Sequence, residues 1–518
     1  MLRATLARRL SNAKAMNRSS KRAPRRAQSS AAPALEKLSA VDTAWLRMDR
    51  PANLMMICGV LLFRRRVTRA RLLRVLAQRF LRFERFRQRP VAREGASYWQ
   101  TQDHFRLDDH VVSTTLPGAG DRAALEAFVS ELMATPLASE RPRWQFNLIE
   151  RFDGGSALVV RIHHCYADGI ALVRVMLSMT DAGVDGPPAM PFEAPSRRAS
   201  RPAADDWASQ LFAPMGDVLA TARRIGTALI EKGASVWDDP AQAVALAERG
   251  SALTAEVARL AMMGQDSPTR FKGRVQARKK VAWADPLLLD EVKAVGRALG
   301  ASVNDVVLAC VAGALRDYLA AHGDDVDDVN LRALVPVNLR PLEQAWKLGN
   351  RFGLVFLDLP LSIGNPIARL YAVRENMRAL KGSYQPVVAL GLLAAMGSGP
   401  RALQEALLGA LARNASAVMT NVPGPQQPLY LAGAAIDSLM FWVPQSGDIG
   451  MGLSIISYGG KVQFGVVTDA VLCPDPEAIA ARFVQEFEAL LLTTLLAPWE
   501  SGDLDPAVAE KAVYGQAG

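Results

Sequence analysis

The chain has 518 residues, a mass of 56.0 kDa and a formal net charge of +10, and half of its residues are hydrophobic, enough for two substantial domains with large cores. Its longest apolar runs, such as residues 387–396, stop short of the roughly 18 residues that a membrane-spanning helix needs, which argues against an integral membrane protein. Nine cations (Arg3, Arg8, Arg9, Lys14, Arg18, Lys21, Arg22, Arg25 and Arg26) precede the first acidic residue, so the charge belongs to a tail, and a domain-wide basic surface for nucleic acid is excluded.

Residues 1–36 read as a disordered basic tail, rich in Ala and Ser, suited to anionic lipid or to targeting. No continuous apolar stretch follows its arginines, which speaks against a secretory signal. The folded chain is expected to open at 38–46, where Ser39 can cap a short helix that turns Val41, Trp45 and Leu46 inward. A strand at 55–63 and an amphipathic helix at 69–80 follow, then a helix at 121–133 and a strand at 144–150. This alternation is that of an α/β or α+β domain, spanning 37–185.

The stretch that points to chemistry begins at residue 156. Ser156-Ala157-Leu158-Val159-Val160 reads as a buried strand, and Ile170 to Leu177 as the start of a buried helix. Between them stands His163-His164-Cys165-Tyr166-Ala167-Asp168-Gly169. Strand alternation puts Leu158, Val160, Ile162 and His164 on one face, and Val159, Arg161 and His163 on the other. The chain has five histidines, and two adjacent ones at a strand end suit proton transfer, with His164 as general base. Asp168 has two uses open to it: orienting the imidazole, or pairing with a distant arginine and so fixing the loop that presents His164; the structural use is favoured because a tight local turn would make it compete with His164 for backbone donors. Cys165 points away from His164 and has no thiolate-stabilising cation beside it, so it is not expected to be a nucleophile. Adjacent strand histidines face opposite ways and His104, His110 and His322 are scattered, so no metal site is expected. The four cysteines show no pairing pattern, which suggests buried thiols in a reducing compartment.

Residues 186–202 hold five prolines, and helical patterning follows to about 263; 186–268 therefore read as a helical connector. A second domain is expected over 269–505, with a tail at 506–518. It opens with a strand within 272–284 and a helix from 286. Asn304 is placed as N-cap of the helix through Arg316. Strands are expected at 331–337, 352–359 and 418–422, and a helix at 365–378. The apolar segment 387–411 reads as a substrate-facing helix pair. A hairpin turns at Gly459-Gly460, and a closing helix spans 476–492.

Three of these stretches, His163 to Gly169, Asn304-Asp305-Val306-Val307-Leu308-Ala309 and Asn421-Val422-Pro423-Gly424-Pro425, together resemble the bacterial wax ester synthase/diacylglycerol acyltransferase family. Residues 38–53, 141–144, 334–341 and the Gly349-Asn350 pair are also similar to it, so the likeness covers about 38–495. The resemblance implies two chloramphenicol-acetyltransferase-like sandwich domains of mixed β-sheet flanked by helices. It implies a catalytic His164 between them, with His163 and Asp168 in the catalytic motif, Asp168 ordering it, and support from Gly169, Asn304 and Asp305. It further implies transfer of a long-chain acyl group from acyl-CoA, a co-substrate and not a resident cofactor, to a fatty alcohol or diacylglycerol. Such an enzyme would work in the cytoplasm, in peripheral contact with the inner membrane or lipid bodies. The family more often has Pro-Leu-Trp where this chain has Pro142-Arg143-Trp144, and the basic tail is a second departure. A histidine motif of this form also occurs in carrier-protein-dependent condensation enzymes, and a non-catalytic lipid-surface protein is a third reading. The acceptor, and turnover itself, discriminate the three.

Overall fold

The structure, a computed structural model, describes residues 35–184, 186–189, 259–260, 262–339, 348–350, 352–380 and 385–496. Nearly all of the expected basic tail and connector, and the whole 506–518 tail, lie outside the described residues.

From residue 37 on, two mixed β-sheets flanked by helices organise the chain. The first runs in the order Tyr430–Leu431, Ala434–Trp442, Met56–Phe63, Gly155–His163, Trp144–Phe152 and Val111–Thr114, antiparallel except for its last pair. The second runs Phe352–Leu359, Leu331–Asn338, Ala417–Pro423, Met451–Tyr458, Lys461–Asp469 and Lys279–Trp283, with Leu287–Leu288 paired to Lys461–Asp469. Ala417–Pro423 is parallel to both of its neighbours. The Lys461 strand returns through Gly459 and Gly460, both at positive φ, as a tight hairpin turn requires.

Gly155–His163 is buried along its whole length, which explains its nearly unbroken apolar run. Leu158, Val160 and Ile162 pack into the core under helices Ala40–Met48 and Gly169–Met179, and Ala157 and Val159 pack on the other face. Arg161 interrupts the run without leaving a bare charge. Its guanidinium donates to Leu132 O and Thr135 O, each at 2.7 Å, where the carbonyls at the end of helix Arg122–Ala134 carry partial negative charge.

Two features depart from the sequence expectations. The proposed domains follow chain order, but Ala434–Trp442 does not: it leaves the second half of the chain and pairs with Met56–Phe63 in the first sheet. Its partner lies hundreds of residues away, and no local pattern encodes that pairing. The N-cap of helix Val303–Ala321 is Ser302, not Asn304. Ser302 Oγ accepts from Asp305 N, and the Asp305 carboxylate accepts from Ser302 N at 2.8 Å. This reciprocal box satisfies two otherwise orphaned donors, so the helix starts two residues earlier than a lone Asn cap would place it.

The apolar 387–411 segment is a pair of helices, Gln385–Ser398 and Arg401–Asn414. It supports helix Ala40–Met48: Arg47 donates to Gly399 O and Gln404 to Ala44 O.

Candidate active site

The strand Gly155–His163 delivers His164 just past its last pairing, where His164 N donates to Met55 O at 2.7 Å. From there the chain turns, and Ala167 forms a parallel bridge with Gly349. Asp168 then caps helix Gly169–Met179, its Oδ1 accepting from Ala171 N at 2.8 Å. Asp168 is thus the N-cap of the helix that follows the histidines.

The two histidines divide as strand alternation requires. His163 Nδ1 accepts from Cys165 N at 3.1 Å, so its proton sits on Nε2, which faces Asp49 Oδ2 at 3.4 Å. Arg143, the departure from the family pattern, reaches the same Asp49 oxygen at 3.4 Å. His163 is buried behind the site.

His164 lines a cavity of about 700 Å³ together with Trp45, Asp168, Gly169, Phe352, Thr420, Asn421 and Phe441. The Trp45 ring stacks on the imidazole with centroids 4.0 Å apart and planes at 18°. Asn350 holds the main chain from behind, its Nδ2 donating to His164 O at 2.9 Å and to Asp42 Oδ1 at 2.7 Å. Nδ1 of His164 is sealed from solvent without a hydrogen-bond partner among the described residues. That leaves Nε2 as the nitrogen available to a molecule in the cavity.

Asn304 lies one contact from this cavity, its Oδ1 accepting from Asn421 Nδ2 at 3.1 Å. Asp305 serves its own helix cap. Sequence reasoning did not assign Asp42, Asp49, Trp45 or Phe352 to the site. Asp42 and Trp45 stand three apart, on one face of helix Ala40–Met48, which was the available signal. Cys165 is fully enclosed, and burial pushes its thiol well above the usual range, as expected for an inert cysteine.

A second cavity, of about 880 Å³, adjoins the first and shares Gly169, Val422 and Phe441 with it. Among the described residues, Thr180 contributes its only polar side chain. It lies between the core face of the first sheet and helix Gly169–Met179.

Burial pushes the His164 imidazole down to about 3 and also lowers His163. Both rings are therefore neutral near pH 7, which leaves one ring nitrogen of His164 with a free lone pair. A lowered histidine value means that the unfolded chain binds more protons between the two values. For His164, stability is thus fully present above about pH 6.5 and is lost as pH falls toward 3, at most about 1.4 kcal/mol per pH unit; His163 acts in the same direction. Urea unfolding at stepped pH should show this slope below pH 6.5, and it should be shallower in His164→Ala. Equal slopes in the two proteins would contradict a buried, neutral His164.

A family model described as "Wax ester synthase/diacylglycerol acyltransferase catalytic domain" matches residues 38–307, and one described as "WS/DGAT C-terminal domain" matches 348–491. The chain belongs to the wax ester synthase/diacylglycerol acyltransferase family. It is an acyl-CoA-dependent O-acyltransferase acting on alcohol or diacylglycerol acceptors. It is 28% identical over 427 residues to "Probable diacyglycerol O-acyltransferase tgs1" of Mycobacterium tuberculosis H37Rv, covering 80% of this chain and 86% of that protein. Its fold is similar to that of "Wax ester synthase/diacylglycerol acyltransferase from Marinobacter aquaeolei VT8", with a TM-score of 0.62 at 22% identity over 89% of this chain and 100% of that one. The first condensation domain of the calcium-dependent antibiotic synthetase shares the fold with a TM-score of 0.53 at 15% identity, over 89% and 97% of the two chains.

Proposed function

We propose that this family member transfers a long-chain acyl group directly to a lipid hydroxyl, with His164 as the general base. The observation that carries this reading is the junction of the His164 cavity with an almost wholly apolar one at Gly169, Val422 and Phe441. An added Cβ at Gly169 would meet nothing within 4 Å, so this shared wall residue leaves free space beside it. His164 Nε2 takes the hydroxyl proton as the oxygen attacks the thioester carbonyl. The tetrahedral intermediate then breaks its C–S bond, and the departing CoA sulfur takes the proton back from His164. Asp168 and His163 position the motif, while Asn304, through Asn421, braces the cavity wall.

Long-chain acyl-CoA and a fatty alcohol or diacylglycerol are the substrates on this reading. On this reading the two sheets are the cores of a pair of chloramphenicol-acetyltransferase-like sandwiches, proposed over 37–185 and 269–505, with Ala434–Trp442 of the second pairing into the sheet of the first. Thiol release and ester formation from palmitoyl-CoA, with hexadecanol and with a diacylglycerol side by side, test the reading. Ester with either acceptor supports it, and absence of turnover with both overturns it.

The role of Asp168 separates cleanly by substitution. Asp168→Ala loses the cap, at a cost of about 1 kcal/mol, and activity should fall with it. Asp168→Asn keeps a good capping side chain and should recover both melting temperature and most turnover. An Asn variant that melts like the parent yet is as inactive as the Ala variant would assign the carboxylate a direct catalytic role.

Among the described residues no single helix is long and apolar enough to cross a membrane. Contact with the inner membrane or lipid bodies is accordingly proposed to be peripheral, with the tail's nine cations drawn to anionic lipid. Full-length protein should bind phosphatidylglycerol vesicles more tightly than a version starting at Leu35. The difference should shrink as salt rises, because screening acts within about 8 Å at physiological ionic strength. Equal affinities at low salt would remove the tail from membrane binding.

A further inference from the structure

Gly59 lies in the middle of strand Met56–Phe63, paired with Phe441 on one side and Val160 on the other. Its neighbours along the same face are Ile57 and Leu61, and all three line the apolar cavity. Elsewhere on this face the row is filled by large apolar side chains. A glycine inside a strand costs stability and marks either a close backbone approach or a place where something else must fit.

The backbone explanation fails at Gly59. Its φ is not in the left-handed region, and an added Cβ would make ordinary contacts only, 3.7 Å from Met440 O and 3.8 Å from Phe441 Cβ. Other glycines in this protein are different: a Cβ at Gly353 would collide with the backbone of Pro386, and one at Gly397 with that of Ala40. Those two positions exclude a side chain because the protein itself occupies the space. At Gly59 no protein atom does.

We infer that Gly59 is a specificity-determining residue: its missing side chain leaves the floor of the apolar cavity open to a long aliphatic chain, that of the acyl donor or of the acceptor. This rests on the assignment of the cavity to a substrate chain. A side chain here would block the distal part of the cavity while leaving the His164 cavity in place, because Gly59 does not line the latter.

The test uses the full chain as Gly59→Ala, Gly59→Val and Gly59→Leu. One series varies the donor from octanoyl- to palmitoyl-CoA with hexadecanol fixed. The other varies the acceptor from octanol to hexadecanol with palmitoyl-CoA fixed. In one series the ratio of long-chain to short-chain kcat/KM should fall with side-chain size, by roughly ten- to a hundredfold for the largest change, since each displaced methylene is discriminated strongly in a filled pocket. The series that responds identifies which chain lies over Gly59. Unchanged ratios in both series would overturn the inference, as would an equal loss at every length in a variant that melts like the parent. Should the larger variants fail to fold, Gly59→Ala carries the test, because its methyl fits without displacement. A parent protein that turns over none of these pairs would instead refute the substrate reading itself.

Discussion

Replacing His164 with alanine should lower turnover of palmitoyl-CoA with hexadecanol by roughly 10² to 10⁴, the usual contribution of a positioned general base. The ring stacks on Trp45 at 4.0 Å and packs beside Phe352, with centroids 5.7 Å apart. It is neutral because burial suppresses its charged form. Removing it takes away the proton acceptor and leaves both cavities otherwise intact, so equilibrium binding of palmitoyl-CoA should change little. Steady-state rates and calorimetric binding on the same preparation separate the two effects. Near-parental turnover would exclude His164 as the base, and a binding loss as large as the rate loss would make it a substrate-binding residue instead.

The second large effect is expected at Asn350. Asp42 is a buried carboxylate, and burial raises its pKa against the opposing hydrogen bonds from Asn350 and Ser39. Asn350 supplies it with two donors, Nδ2 at 2.7 Å and the main-chain N at 3.2 Å, and the same Nδ2 group holds His164 O. Asn350→Ala removes the side-chain donors and leaves buried acceptors short of partners, at a cost of about 3 kcal/mol in stability. Turnover should fall on the order of ten- to a hundredfold, because the loop presenting His164 loses its brace. Asp42→Asn removes the buried charge, so the same alanine change in that background should cost less, with a coupling of about 0.5–3 kcal/mol. Urea midpoints and kcat for the four members of the cycle check this. Additive losses would mean that Asn350 and Asp42 act separately.

What could be read from residue order was whatever local pattern encodes. The buried strand ending at His163, the helix opening at Gly169 and the glycine-paired hairpin follow from periodicity and turn chemistry, and the structure has each of them. Opposite faces for His163 and His164 follow from the strand repeat, and their different surroundings agree. The Ser302 cap was also readable, since Ser302 and Asp305 have the spacing of a capping box, but Asn304 is an equally good cap by type. The exchange of Ala434–Trp442 was not readable. Its alternating burial marks a strand, yet nothing in it names Met56–Phe63 as the partner. Asn350 and Asp42 are likewise 308 residues apart, and only the fold joins them. Gly59 shows the same limit, since a glycine in a strand pattern has several causes, and only the space around it tells them apart.

The central claim is direct transfer, with no acyl group held on the protein. Rapid mixing of enzyme with excess palmitoyl-CoA, with and without hexadecanol, measures it through the CoA thiol released in the first turnover. Direct attack predicts thiol release only when the alcohol is present, matched one to one by ester. A burst of thiol equal to the enzyme concentration in the absence of alcohol would reveal a covalent acyl-enzyme and contradict the mechanism.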